Sequence, residues 1–131
     1  MPVHKSLKLK IRPERLAICR LLAQAKIPDW ALAAPWVAIV RTDEELSVVV
    51  EEKQVGQVEK VEKGWRAFQV LGPLDFSLTG ILAALADPLA KAGISIFAIS
   101  TYDTDYVLVK EENLMRAKEV LGSLGRIQEG D

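Results

Sequence analysis

Asp75, Asp103 and Asp105 are the carboxylates whose settings invite chemistry. Asp75 lies in Leu-Asp-Phe-Ser, a turn-like run where an aspartate bonds backbone N–H groups two or three residues on. Asp103 and Asp105 flank Thr104 between two β-rich runs, where Asp serves hairpin geometry. Two aspartates at i, i+2 with a distant third also match an oxygen-ligand Mg²⁺ set, but no phosphate-binding motif accompanies them. Ser77, Thr79 and Gly80 open a helical pattern. A Ser77 cap explains that serine without function, yet free N–H groups at a helix N-terminus also receive a carboxylate, and Gly80 admits a close backbone approach. Ile99, Ser100 and Thr101 end the next strand, which at a sheet edge leaves N–H and C=O groups open. An α-amino acid needs both features, donors for its carboxylate and acceptors for its ammonium. Asp103 would add a charge that favours a basic ligand.

Other chemistry finds little support. His4 is the single histidine, and no Walker-type phosphate loop, Cys/His metal spacing or nucleophile–base pair is present. No cofactor is expected. Cys19 stands among apolar neighbours, the setting of a buried structural thiol rather than a reactive one. One cysteine excludes an internal disulfide and fits a reducing compartment. With 17 basic and 18 acidic residues there is no cationic excess for nucleic acid. The aromatic pair of an RNA-reading sheet is also missing. No apolar run approaches membrane-spanning length, and the N-terminus has no secretory h-region. A cytoplasmic chain is expected.

The elements that must hold these residues follow from periodicity. Gly72-Pro73 ends a strand over Trp65–Leu71. Leu78, Ile81, Leu82, Leu85 and Leu89 then draw one helical stripe. Pro88 predicts a kink near Asp87 or a fresh turn, and Gly93 a left-handed stop. Residues 94–101 and 104–109 are strands joined through Tyr102-Asp103. A last helix over 111–121 presents Leu114, Ala117, Val120, Leu121 and Leu124, and Arg126-Ile-Gln adds a short edge strand. Upstream, Leu7–Ile11 alternates as a half-buried strand. Pro13 and the apolar residues through Gln24 predict a helix. A connector over Ile27–Trp36, bounded by two prolines, carries Trp30 and Trp36. These either pack it against the sheet or line a ligand pocket, packing being favoured because aromatic residues dominate ordinary cores. Trp36–Arg41 and Leu46–Val50 form a hairpin. Residues 51–64, with seven charged side chains, predict a solvated linker or irregular edge.

This order predicts an α+β, ferredoxin-like βαββαβ fold in two tandem units, with antiparallel sheets covered on one face by helices. The units are drawn at 1–62, possibly incomplete for want of a second helix, and 63–131.

The run GPLDFSLTGILAALADPLAKAGISIFAISTYDTDYVLVKEENL resembles the ACT domain of small bacterial proteins and is similar to ACT segments of CASTOR-type arginine sensors. Aspartate kinase regulatory domains resemble it more distantly. The resemblance implies side-by-side ACT units, non-enzymatic regulation and amino-acid binding at a seam, with Asp75, Phe76, Ser77, Leu78, Thr79, Gly80, Ile99, Ser100, Thr101 and Asp103 as ligand residues. It also implies a homodimer and a regulated enzyme partner. Two other functions fit the residues: an assembly module without a small ligand, and a small metal-dependent enzyme using Asp75, Asp103 and Asp105.

Overall fold

The structure is a computed structural model that describes residues 7–71 and 80–130. Its strands are β1 (Leu7–Ile11), β2 (Leu16–Leu21), β3 (Val37–Arg41), β4 (Leu46–Glu51), β5 (Lys60–Val70), β6 (Phe97–Ser100), β7 (Asp105–Lys110) and β8 (Gly125–Glu129). The α-helices are α1 (Asp29–Leu32), α2 (Ile81–Lys91) and α3 (Leu114–Leu121). The fold is α+β and ferredoxin-like, as the element order predicted.

The compact units are not consecutive segments. Glu14–Trp65 forms one, and β1 joins the chain from Arg66 onward in the other. Strand β5 gives its first half to the former and its second half to the latter. Sequence order alone does not assign β1 to the later unit.

The unit containing the C-terminal part has the strand order β8-β1-β5-β7-β6. From β5 onward its elements run βαββαβ. Strand β1 lies between the first and last strands of that pattern, antiparallel to β5 and parallel to β8. The expectation of wholly antiparallel sheets is corrected here: inserting one strand antiparallel to β5 leaves β8 parallel to its new neighbour. Leu7, Leu9 and Ile11 of β1, Phe68 and Val70 of β5, and Val107 and Val109 of β7 turn one face to the helices. There they meet Ile81, Leu85 and Leu89 of α2 and Ala117 and Leu121 of α3. Alternation in strands and i, i+4 spacing in helices therefore converge on one apolar layer. Helix α2 runs through Pro88 as a single helix rather than starting a fresh turn there, giving up the N–H that would reach the Ala84 carbonyl. It stops as predicted: Gly93 has φ 76°, its N–H donates to Ala90 O at 2.9 Å, and Ile94 N–H donates to Leu89 O at 2.9 Å. This is a Schellman close, with Leu89 and Ile94 both in the core.

The other unit has the order β3-β4-β2-β5, with each neighbouring pair antiparallel. Its core gathers Cys19, Leu46, Val48 and Val50 beneath Ala31 and Ala34, with Trp30, Ala25, Ile27, Val55 and Val58 packed around them. The predicted helix from Pro13 to Gln24 is a strand. Leu16, Ile18, Cys19, Leu21 and Leu22 satisfy a helical stripe, but so short an apolar run fits a doubly covered strand equally well. Pairing to both β4 and β5 decides for the strand. The helix lies instead in the proline-bounded connector, as the single turn α1. Residues 51–64 are also more ordered than predicted. Glu52–Gln54 forms a 3₁₀ turn where a second helix would stand, and β5 already begins at Lys60. Between Leu16↔Trp65 and Ile18↔Glu62 the ladder takes an extra β5 residue. Gly64 sits in that bulge at φ 80°, its N–H donating to Glu52 Oε2 at 2.8 Å.

Candidate functional site

The β6–β7 hairpin positions Ile99, Ser100, Thr101 and Asp103. Strand β6 pairs only with β7 and ends the strand order, so its outer edge is open among the described residues. This is the edge condition on which the amino-acid reading depended. The turn is tightly knit. Thr101 N–H donates to Thr104 O at 2.7 Å, and the Thr101 hydroxyl donates to the same carbonyl at 3.1 Å. Thr104 N–H returns a bond to Thr101 Oγ1 at 3.1 Å. Ser100 Oγ donates to Asp105 Oδ1 at 2.6 Å, so Asp105 serves the hairpin. Tyr102 and Asp103 project from the tip, with Tyr102 80% exposed.

Thr104 is the residue that sequence reasoning missed. It is buried at 7% exposure, and its hydroxyl donates to the carbonyl of Val70, the last residue of β5. The hairpin is thereby tied to the point where the chain leaves β5, one residue before Leu71, whose N–H donates to Lys8 O at 2.8 Å. The available signal was a threonine between two aspartates at a strand start. A hydroxyl there serves the turn or the interior, and only the tertiary fold separates the two.

Gly80 is the other described member of the site. It is exposed, has φ 78° and precedes Ile81 as the N-cap residue of α2, while its carbonyl accepts from Ala84 N–H at 2.9 Å. The left-handed φ explains the glycine by conformation. The first N–H groups of α2 have no acceptor within the helix by geometry. Asp75, Phe76, Ser77, Leu78 and Thr79, including the Ser77 cap, lie outside the described residues, as does His4. No grouping of three or more His, Cys, Asp or Glu suited to a metal occurs among the described residues. Cys19 is buried in strand β2. Burial pushes its thiol above the ordinary range, against a smaller opposing pull from the Lys63 ammonium. No helix among the described residues is long and apolar enough to cross a membrane.

Ferredoxin-like units in tandem, one with an open-edged hairpin, define a class of small α+β domains. Within that class, the chain belongs to the ACT-domain proteins: a family model for the ACT domain matches residues 60–123. A second model, described as an N-terminal domain, matches 14–57. The human cytosolic arginine sensor for mTORC1 subunit 1 is 45% identical over 67 residues, which is 50% of this chain and 20% of the sensor. The chain thus spans about one-fifth of that relative's length. A solved Agrobacterium tumefaciens protein is similar throughout, with 36% identity, TM-score 0.88 and coverage of 96% of this chain and 95% of that one. The regulatory subunit of aspartate kinase from Thermus thermophilus has TM-score 0.63 at 11% identity, covering 88% of this chain and 96% of that one, a likeness of fold alone.

Proposed function

We propose that this chain is a non-catalytic regulatory module that binds an amino acid beside the β6–β7 hairpin and passes the bound state to a partner. The observation that carries this reading is the open edge of β6 among the described residues, where Ser100 turns its backbone carbonyl outward toward an ammonium while Thr101 is turned toward Thr104. The N-terminus of α2 after Gly80, with its partial positive charge, would receive the carboxylate. Asp103, exposed at the tip, would select a basic side chain. Asp75, Phe76, Ser77, Leu78 and Thr79 complete the proposed ligand set. Likeness to a cytosolic arginine sensor supports an amino acid as the ligand class and a cytoplasmic setting. A homodimer is also expected, checked by light scattering against the monomer mass of 14.5 kDa.

A thermal-shift screen over the proteinogenic amino acids tests this reading. A true ligand at a hundred times its Kd stabilises by about 2.7 kcal/mol. Absence of any shift at millimolar concentration overturns the amino-acid reading and leaves the assembly module. With a basic ligand in hand, Asp103→Asn should weaken binding by about tenfold in calorimetry, since a charge-assisted bond contributes roughly 1.5–3 kcal/mol. Equal affinity would return Asp103 to a turn role.

A further inference from the structure

The sheet portion formed by β8, β1 and the end of β5 has two faces, and only one of them meets α2 and α3. On the other, alternation places Lys8, Lys10 and Arg12 of the β1 segment, Arg126 and Gln128 of β8, and Gln69 of β5. Register decides their neighbours. Lys8 stands directly across from Arg126, and Lys10 lies between Gln128 and Gln69. Like charges placed directly opposite repel. Arg12 turns back onto Gln69, its Nη1 donating to Oε1 at 3.1 Å.

Other cations of the same unit are matched. Lys118 meets Glu129 at 2.7 Å, Lys91 meets Asp87 at 3.1 Å and Arg66 meets Glu111 at 3.7 Å. Lys8, Lys10 and Arg126 have no ion pair among the described residues. No carboxylate stands among them on the paired stretches 7–11, 68–70 and 125–129 of this face. Lys8, Arg126 and Gln128 are exposed, so the face is open to a partner.

Strand β8 also ends the strand order, at the opposite end of its unit from β6, and its outer edge is open among the described residues. Gly130 N–H donates to Ile11 O at 2.6 Å, so alternation turns the N–H and C=O of Ile127 and Glu129 outward. The Ile127 side chain packs against the core on the helix face, while Arg126 and Gln128 flank it on the cationic one. A strand added here would set one residue beside Ile127, with the residues before and after it on the cationic face.

We propose that the β8 edge takes up an extended acidic segment of a partner protein, in which Asp or Glu alternates with an aliphatic residue. Its backbone pairs with Ile127 and Glu129, its carboxylates lie over Arg126 toward Lys8 and Lys10, and its aliphatic residue covers Ile127. A second copy's β8 would instead bring further cations to a face that lacks carboxylates. The surface lies away from the hairpin and needs no amino acid, so its test uses the chain alone.

The test is a titration of the full chain with a capped peptide alternating Glu and Val, followed by amide NMR shifts and hydrogen exchange. Saturable shifts at residues 8–12 and 125–129 are expected, with slowed exchange at the outward amides of Ile127 and Glu129. The peptide with Lys in place of Glu should produce neither. Lys8→Gln and Arg126→Gln, both at exposed positions, should each weaken the Glu peptide about threefold while spectral dispersion is kept. The proposal is overturned if those segments show no saturable shift, if the Lys peptide binds equally, or if either variant binds as the parent does. Shifts without slowed exchange, matched by a single-stranded oligonucleotide, would also overturn it and make the face a general polyanion surface. Shifts at 97–101 instead would overturn it in favour of the β6 edge.

Discussion

The two units build one strand pattern by different means. In the Glu14–Trp65 unit the order β3-β4-β2-β5 is the bare pattern, and its face is covered by a four-residue helix and connecting loops. In the other, β1 is added between β5 and β8, and helices of 11 and 8 residues cover the face. Helices with full apolar stripes bury whole side chains, whereas loops bury parts of many. Leu85 and Leu89 are 0% exposed, while Trp30, Val55 and Val58 are only half-buried. A sheet can therefore keep its strand order when one helix shrinks to a turn and the other to a 3₁₀ segment, provided loops supply aliphatic cover. The helix-covered unit should be the harder one to open.

The largest effect should come from that helix layer. Leu85→Ala removes a fully buried side chain and should cost about 2–5 kcal/mol in urea unfolding. Trp30→Ala, despite its greater size, should cost less because the ring is only partly buried at the margin of its core. If Trp30→Ala proves the costlier change, the comparison between the units is wrong.

Next come the glycines at the strand junctions. A Cβ on Gly125 would lie 1.9 Å from the Leu7 carbonyl oxygen, so β8 and β1 must separate to admit it. Gly125→Ala should destabilise by about 1–3 kcal/mol through overpacking. At Gly64 a Cβ meets nothing nearer than Arg15 Nη2 at 3.6 Å, leaving only the cost of φ 80°. Gly64→Ala should therefore lose about 1–2 kcal/mol. Thermal unfolding of both variants would rank them, and a neutral Gly125→Ala would refute the close β1–β8 packing.

Thr104→Val is nearly isosteric and removes the hydroxyl that reaches Val70 O. A loss of about 1 kcal/mol is expected, with faster hydrogen exchange at Thr101 and Thr104. Unchanged exchange there would mean that the hairpin is held without this bond.

The smallest effect is a pH dependence in the loop-covered unit. The folded Cys19 thiol is raised by burial, so the unfolded chain releases its proton first. Stability from this residue is present below the ordinary thiol value of about 8.5 and falls as pH rises through it. The loss between pH 8 and 9 should be at most about 0.7 kcal/mol. Cys19→Ala should abolish it, and a slope unchanged in that variant would assign the dependence to other groups.

The sequence by itself determined the helix-covered unit from β5 onward. The stripe Ile81, Leu85, Leu89, the stop at Gly93 and the helix before Gly122 are local patterns whose periods admit one structure each. It also marked the hairpin that carries Ile99–Thr101 and Asp103, because turn chemistry is local. Tertiary structure alone decided three things. It made Leu16–Leu21 a strand, since a six-residue run apolar everywhere but Arg20 fits either period until neighbouring strands claim its backbone groups. It set β1 between β5 and β8, a pairing between residues far apart in the chain that no local pattern records. It also turned the Thr104 hydroxyl inward to Val70, because a hydroxyl finds its acceptor only after both strands are in place.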